Sequence, residues 1–280
     1  MKVLPFKIPK PEHDGLIFQV DYTPLFYDKL HQHEEIQISY ILQGEGTLVI
    51  GDSISHFKKD DVLIIGSHLP HVFKSDVNVT TVSHMLTVFF TKSSFGSHFF
   101  ELAELNELQP FFKRAKHGFK ATTHIKIIKE LFLQLENASK FKRFLVLLEL
   151  LQTASKSQYK SLSSFIYDKK YTDNEGYRMR NVFEFTMNNF DKEISLITIA
   201  QIANMTNNAF CKYFKKRTNK TYIQFLNELR IEHACKLLIS NKDYSITQIA
   251  EASGFNNISN FNRQFKAIKK LNPSDFKQKK

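Results

Sequence analysis

Two cysteines in 280 residues, Cys211 and Cys235, are too few for a disulfide framework. Long apolar runs are also missing. The longest candidate, FLVLLELL at 144–151, carries Glu149 and falls far short of the roughly 18 residues that a membrane span needs. The first residues, MKVLPFKIPKPEHDG, lack the apolar core of a secretory signal. There is no Gly-rich phosphate loop, no G-x-S-x-G elbow and no C-x-x-C pair, so no such motif supports catalysis. The expectation is a cytoplasmic chain that is not an enzyme, needs no cofactor and does not meet a membrane.

What the chain does have is material for packed cores. Its apolar share is 42% and it carries 27 Phe, which argues for folded globular structure. The length suits two domains of ordinary size. Charge is unevenly spread. Residues 178–280 hold 18 Lys and Arg against 8 Asp and Glu, so they account for ten of the formal +11. A basic region concentrated this way is the footprint of a phosphate-backbone binder.

Residues 17–90 read as short strands, among them 36–42, 46–50, 61–66 and 81–90, several of them separated by turns such as Gln43-Gly44-Glu45-Gly46. Many short strands suggest a sandwich or small barrel. From about 98 the period becomes helical, with helices expected at 98–115, 124–136 and 140–155. Residues 156–177 are rich in Ser and Lys, lack a sustained period and read as a linker. Further helices are expected at 178–189, 195–204, 207–217, 221–240, 245–252, 257–268 and 273–278. Ser195 and Ser245 stand where N-caps belong, and Pro273 opens the last turn. The fold class is α+β, with an N-terminal β-barrel over 1–97, a helical packing region over 98–155 and an all-α domain over 178–280.

The all-α region is written as a repeat. Ile199-Ala200 returns as Ile249-Ala250, and Phe210, Phe214 and Lys215 return as Phe261, Phe265 and Lys266. The second copy carries one extra residue in its turn. Each copy is a helix-turn-helix pattern, and two of them can present two recognition helices to duplex DNA. Two Phe four residues apart share one helix face and read as core. The opposite face offers Asn207, Asn208, Cys211, Lys212 and Lys215 in the first copy. In the second it offers Asn257, Ser259, Asn260, Asn262, Arg263 and Lys266. Asn and Arg match adenine and guanine edges in the major groove, and Lys216 is expected on phosphate.

Residues 179–278 resemble the DNA-binding domain of the AraC/XylS family of bacterial transcription regulators. The matching stretches are SLITIAQIANMTNNAFCKYFKKRTNKTYIQFLNELRIEHACKLL and YSITQIAEASGFNNISNFNRQFKAIKKLNPSDFK. The resemblance implies a long helix at about 221–240 joining the two copies, and base contacts from Asn208, Cys211 and Lys212, then Ile258, Ser259, Asn260 and Arg263. It also implies a homodimer and contact with RNA polymerase, with activation the commoner mode. Lys269-Lys270-Leu271-Asn272 stands where the family more often has a Thr-Gly pair.

Residues 31–73 resemble the cupin-like sensor barrel found upstream in many such regulators. His31, His33, Glu35, Gln37 and Ser39 alternate, as one face of a strand would, and His71 follows Pro70 in a second stretch. These groups read as a pocket for a small polar effector, such as a sugar or another polar metabolite, as a structural cluster, or in chemical terms as a metal site. The resemblance implies effector sensing without metal. The helical stretch 124–155 matches the family's dimerisation region, and its apolar stripe would serve equally to pack on the barrel. Three functions are therefore weighed: an effector-controlled transcription regulator, a metal-dependent cupin enzyme with a DNA-binding tail, and an architectural DNA protein. The first is the leading one.

Overall fold

The structure, a computed structural model, describes residues 14–76, 82–166, 173–240 and 243–278. The chain divides into two compact units, residues 1–173 and 174–280.

The N-terminal unit holds two antiparallel sheets. The larger runs in space as β1 (Leu16–Thr23), β7 (Ser83–Phe90), β2 (Ile36–Gln43), β5 (Val62–Ile65), β8 (Phe119–Ala121) and β9 (Tyr159–Ser161). The smaller runs as β4 (Ser53–Phe57), β3 (Gly46–Ile50) and β6 (His71–Ser75). Strand β2 shows how the layers arise. Its Ile36, Ile38 and Tyr40 join a core shared with helices, whereas Ile41 joins a core shared with the small sheet. Alternation then places Gln37 and Ser39 on the Ile41 side, toward the interior between the sheets. That interior core also takes Leu48, Ile50, Phe57 and Phe73 from the small sheet.

Helices α1 (Gln109–Ala115), α2 (Ile125–Leu135) and α3 (Lys140–Lys156) cover the other face of the large sheet. They bury Phe111, Ile128, Leu131, Phe132, Leu147 and Leu151 there. The apolar stripe of 124–155 is thus largely spent on the barrel. Phe141 at 71% exposure and Leu145, one turn further on the same face of α3, remain outside.

Three expectations need correction. The single helix over 98–115 is broken into two 3-10 segments, Phe99–Glu101 and Ala103–Leu108, followed by α1, because Leu102 takes an extended conformation (φ −58, ψ 141). Strands β8 and β9 went unread, since three residues carry too little alternation to recognise. The linker is shorter than 156–177. Within that stretch β9 extends the large sheet and Leu162 is buried in the interior core. Ser163 Oγ and the Ser164 amide donate to Asp52 Oδ1 at 2.8 and 2.9 Å. The remainder, 167–172, lies outside the described residues.

The C-terminal unit is helical: α4 (Asp173–Asn189), α5 (Leu196–Ile202), α6 (Asn207–Thr218), α7 (Tyr222–Ser240), α8 (Ile246–Ala252), α9 (Ile258–Lys269) and α10 (Pro273–Gln278). Ser195 and Ser245 cap α5 and α8 as expected, the latter in a reciprocal capping box with Gln248. Helix α7 serves both repeats. Its Tyr222 ring packs on Phe210 and Phe214, with centroids 5.6 and 5.4 Å apart. Its Ile231, Ala234, Cys235 and Leu238 share a core with Phe261 and Phe265. All four repeat Phe are fully buried.

Candidate DNA interface and effector pocket

In each repeat the buried Phe pair turns the second helix so that its other face meets solvent. On α6, Asn207, Asn208, Cys211, Lys212, Lys215 and Lys216 are all exposed. On α9 the same holds for Ile258, Ser259, Asn262, Arg263 and Lys266, with Asn260 partly buried. Two of the expected DNA residues have structural duties as well. Asn257 is the N-cap of α9 and accepts the Asn260 amide proton at 3.0 Å. Asn260 in turn accepts from the Arg263 guanidinium at 2.9 Å. Other cations of this unit are held by intramolecular contacts. Arg217 pairs with Glu175, Lys220 with Glu228 and Lys269 with Glu232. Arg230 donates to the Phe190 and Lys192 carbonyls, each at 2.7 Å.

The turns differ as the repeat offset requires. In the first, Asn204 takes a positive φ of 52°. In the longer second turn Gly254 does so at 82°, and a Cβ there would stand 2.6 Å from the Phe190 carbonyl oxygen. Glycine is the residue that fits. After α9, Lys270 is left-handed at φ 61° and Asn272 caps α10, so the departure at 269–272 keeps the last turn.

In the N-terminal unit the interior holds a cavity of about 290 Å³. His31, Gln37 and His71 line it as expected, but His33 and Glu35 do not. The alternation of 31–39 is not one strand, because β2 begins only at Ile36. His31 reaches the site through an isolated bridge, its amide and carbonyl bonded to those of His71 at 3.1 and 2.9 Å. The wall further includes Gln19, Asp21, Tyr27, Phe26, Phe73, Met85 and Phe89, none of them expected from the sequence. Gln19 and Asp21 come from β1, whose register pairs them with Thr87 and Met85 of β7. The β region expected from residue 17 onward includes these positions, yet their place beside the His cluster follows only from that pairing. Burial raises the Asp21 carboxyl above its ordinary value, against the Gln19 hydrogen bond of 2.7 Å.

The histidines form one cluster. Ring centroids of His31 and His71 lie 4.1 Å apart, and those of His33 and His71 lie 5.1 Å apart. Each ring places Nδ1 against a backbone carbonyl: Lys29 at 2.8 Å, Glu35 at 2.9 Å and Leu69 at 2.9 Å. A carbonyl only accepts, so each Nδ1 carries a proton, and in a neutral ring Nε2 then keeps its lone pair. Burial holds His33 below the ordinary imidazole value and His71 well below it, so both are neutral. His33 Nε2 lies 3.1 Å from the Gln37 side chain, which continues to Ser39 and Thr87 at 2.8 and 3.1 Å. As placed, Gln37 turns Oε1 to His33 Nε2 and donates from Nε2 to Ser39 Oγ, so a bare Nε2 on His33 requires the Gln37 amide to be turned over. Among the described residues, His31, His33 and His71 are the group that could hold a metal ion.

Both halves match known families. A family described as a helix-turn-helix domain matches residues 199–279, and one described as an AraC-like ligand binding domain matches residues 16–89. The chain belongs to the AraC family of transcription regulators. An uncharacterized HTH-type transcriptional regulator of Bacillus subtilis, YdeC, is 21% identical over 90% of this chain and 87% of its own length. The HTH-type transcriptional activator RhaS of an Enterobacter species is 23% identical over 89% of this chain and 87% of its own. A regulator encoded in the cgkA 5' region of Pseudoalteromonas carrageenovora is 33% identical, over 36% of this chain and 58% of its own. Membership makes this AraC-family chain a DNA-binding transcription regulator with an N-terminal ligand-binding domain. No helix among the described residues is long and apolar enough to cross a membrane.

Proposed function

We propose that this AraC-family chain reads two successive major grooves of duplex DNA with α6 and α9 under control of a small polar molecule held in the barrel. The observation that carries the reading is the matched presentation of Lys212 and Arg263. They occupy equivalent positions of the two repeats, each on the face opposite a buried Phe pair. Base readout is assigned to Asn208, Cys211 and Lys212 on α6 and to Ile258, Ser259, Asn260 and Arg263 on α9. Asn207, Lys215, Lys216, Asn262 and Lys266 serve the flanking backbone, and Asn257 holds the start of α9 in place.

The effector enters the cavity walled by His31, Gln37 and His71, with Gln19 and Asp21 as further polar partners and Phe26, Phe73 and Phe89 as its apolar sides. A sugar or a similar metabolite has the mixture of hydroxyl and apolar faces that such a wall suits. His33 and Glu35 act through their neighbours. Residues 1–166 sense, and residues 178–280 bind DNA. Two chains associate through α3, where Phe141 and Leu145 remain exposed, and the dimer works with RNA polymerase in the cytoplasm. The chain performs no catalysis.

The test is a binding comparison on full-length protein with an operator selected from random duplexes, repeated over a panel of sugars and small acids. Sequence-selective binding that one panel member shifts, and that His33→Ala makes unresponsive while DNA affinity persists, supports the reading. Equal affinity for selected and scrambled duplexes would sink it.

A further inference from the structure

We infer that the barrel carries a divalent transition-metal site formed by the Nε2 atoms of His31, His33 and His71, with a coordination position open to the cavity. The proposal deepens the effector reading and rests on it for the cavity's role. The ion would be the anchor on which an effector oxygen closes.

Three observations point the same way. First, the rings are arranged as ligands. One ring nitrogen from each lies within 4.8 Å of the other two. The nitrogens around a tetrahedral zinc stand about 3.3 Å apart, so the cluster needs to close by at most about 1.5 Å. Second, the tautomers are set. With Nδ1 of each ring donated to a carbonyl, the three lone pairs left are all Nε2. Metal-bound imidazoles are held in this manner, the second nitrogen tied to a backbone carbonyl that fixes orientation and raises basicity. Third, one lone pair lacks its partner. His71 is fully buried and its Nε2 has no hydrogen-bond partner. An unsatisfied buried acceptor is costly, and a cation shared with His31 and His33 removes that cost.

The ligand set selects the chemistry. Three imidazoles with no thiolate among them, the Glu35 carboxylate lying on the Nδ1 side of His33 at 3.7 Å, suit zinc, nickel, copper or ferrous iron rather than calcium or magnesium. Because His31 and His71 also line the cavity, the open position faces it, beside Gln37. An effector carboxylate or diol would complete the shell there. The resemblance of the barrel to metal-free sensors had implied the opposite.

The zinc titrations use tag-free, full-length protein in a Cys211→Ser background, stripped with a chelator, so that the exposed thiol does not compete, and the DNA measurements use the parent sequence stripped in the same way. Zinc is titrated calorimetrically and retained metal is counted by elemental analysis after desalting. The expected result is one ion per chain, with affinity reduced about 100-fold or more in His31→Ala and His33→Ala. Substituting His71 removes a fully buried ring, so the partly buried His31 is the decisive variant. Its melting temperature without metal should stay near the parent's, while the rise on adding zinc is lost. Absence of stoichiometric zinc, or uptake unchanged in His31→Ala, overturns the site. If stripped protein takes up no ion yet still answers an organic effector on DNA, the metal fails and the proposed function stands. If zinc binds but no duplex is selected, the reverse holds.

Discussion

Arg263 donates from its guanidinium to Asn260 Oδ1 at 2.9 Å, across one turn of the exposed face of α9. The bond fixes a long side chain before any partner arrives, and a side chain already held loses less freedom on binding. Arg263→Ala should therefore lower affinity for the operator by roughly 1–3 kcal/mol and affect a scrambled duplex far less. Lys216→Ala should weaken both about equally and flatten the salt dependence. Fluorescence anisotropy on the two duplexes at several salt concentrations separates the cases. Equal losses for Arg263→Ala would remove it from base readout.

Phe265→Ala should loosen the second repeat rather than alter its preference. The ring is fully buried, 5.6 Å from both Phe261 and Phe276. Truncating such a ring costs on the order of 3–5 kcal/mol. Denaturant unfolding of the variant checks this, and a midpoint like the parent's would mean the ring carries no load.

Two backbone substitutions should act with opposite sign. Lys270 ends α9 at φ 61°, a region where a side chain is strained. Lys270→Gly should stabilise the C-terminal unit by roughly 0.5–1 kcal/mol, the relief outweighing the extra freedom of the unfolded chain. Gly254→Ala should destabilise it, because φ is 82° and the new methyl would meet the Phe190 carbonyl at 2.6 Å. Melting temperatures of the two variants decide both claims.

The two cysteines should differ sharply toward thiol reagents. Cys211 is exposed on the face of α6 proposed to meet DNA, whereas Cys235 is buried and its thiol is pushed up to about 12. Near neutral pH a maleimide should label Cys211 alone, since the thiolate is the nucleophile. Saturating operator should slow that labelling, and a bulky adduct at Cys211 should block binding. Mass spectrometry of digests with and without duplex gives the answer, and labelling that duplex leaves unchanged would take Cys211 out of the interface.

How far the chain could be read without its structure depended on distance along it. The repeated Phe pairs, the Ser195 and Ser245 caps and the joining helix at Tyr222–Ser240 were legible because helices are built from contacts three and four residues apart. The exposed faces of α6 and α9 follow from the same periodicity, so the solvent-facing residues of both helices were legible. Asn257, expected within the helix on its exposed face, is the cap that starts α9.

The barrel was decided elsewhere. Its strands pair residues far apart in sequence, and alternation alone does not say which strand lies beside which. The alternating His31, His33 and Glu35 suggested one strand face, yet β2 starts after them, and a bridge to His71 assembles the cluster instead. Gln19 and Asp21 joined the cavity only through the register of β1 on β7. The stripe on α2 and α3 gave no sign of which partner it would meet, and the large sheet took it. By itself, then, the sequence determined the two helix-turn-helix repeats, the faces they present and the concentration of positive charge behind them, because local hydrogen bonds and i, i+4 packing write those features into neighbouring residues. Tertiary structure alone decided the composition of the cavity and the direction of three imidazole lone pairs, because those depend on contacts that close only when distant strands pair.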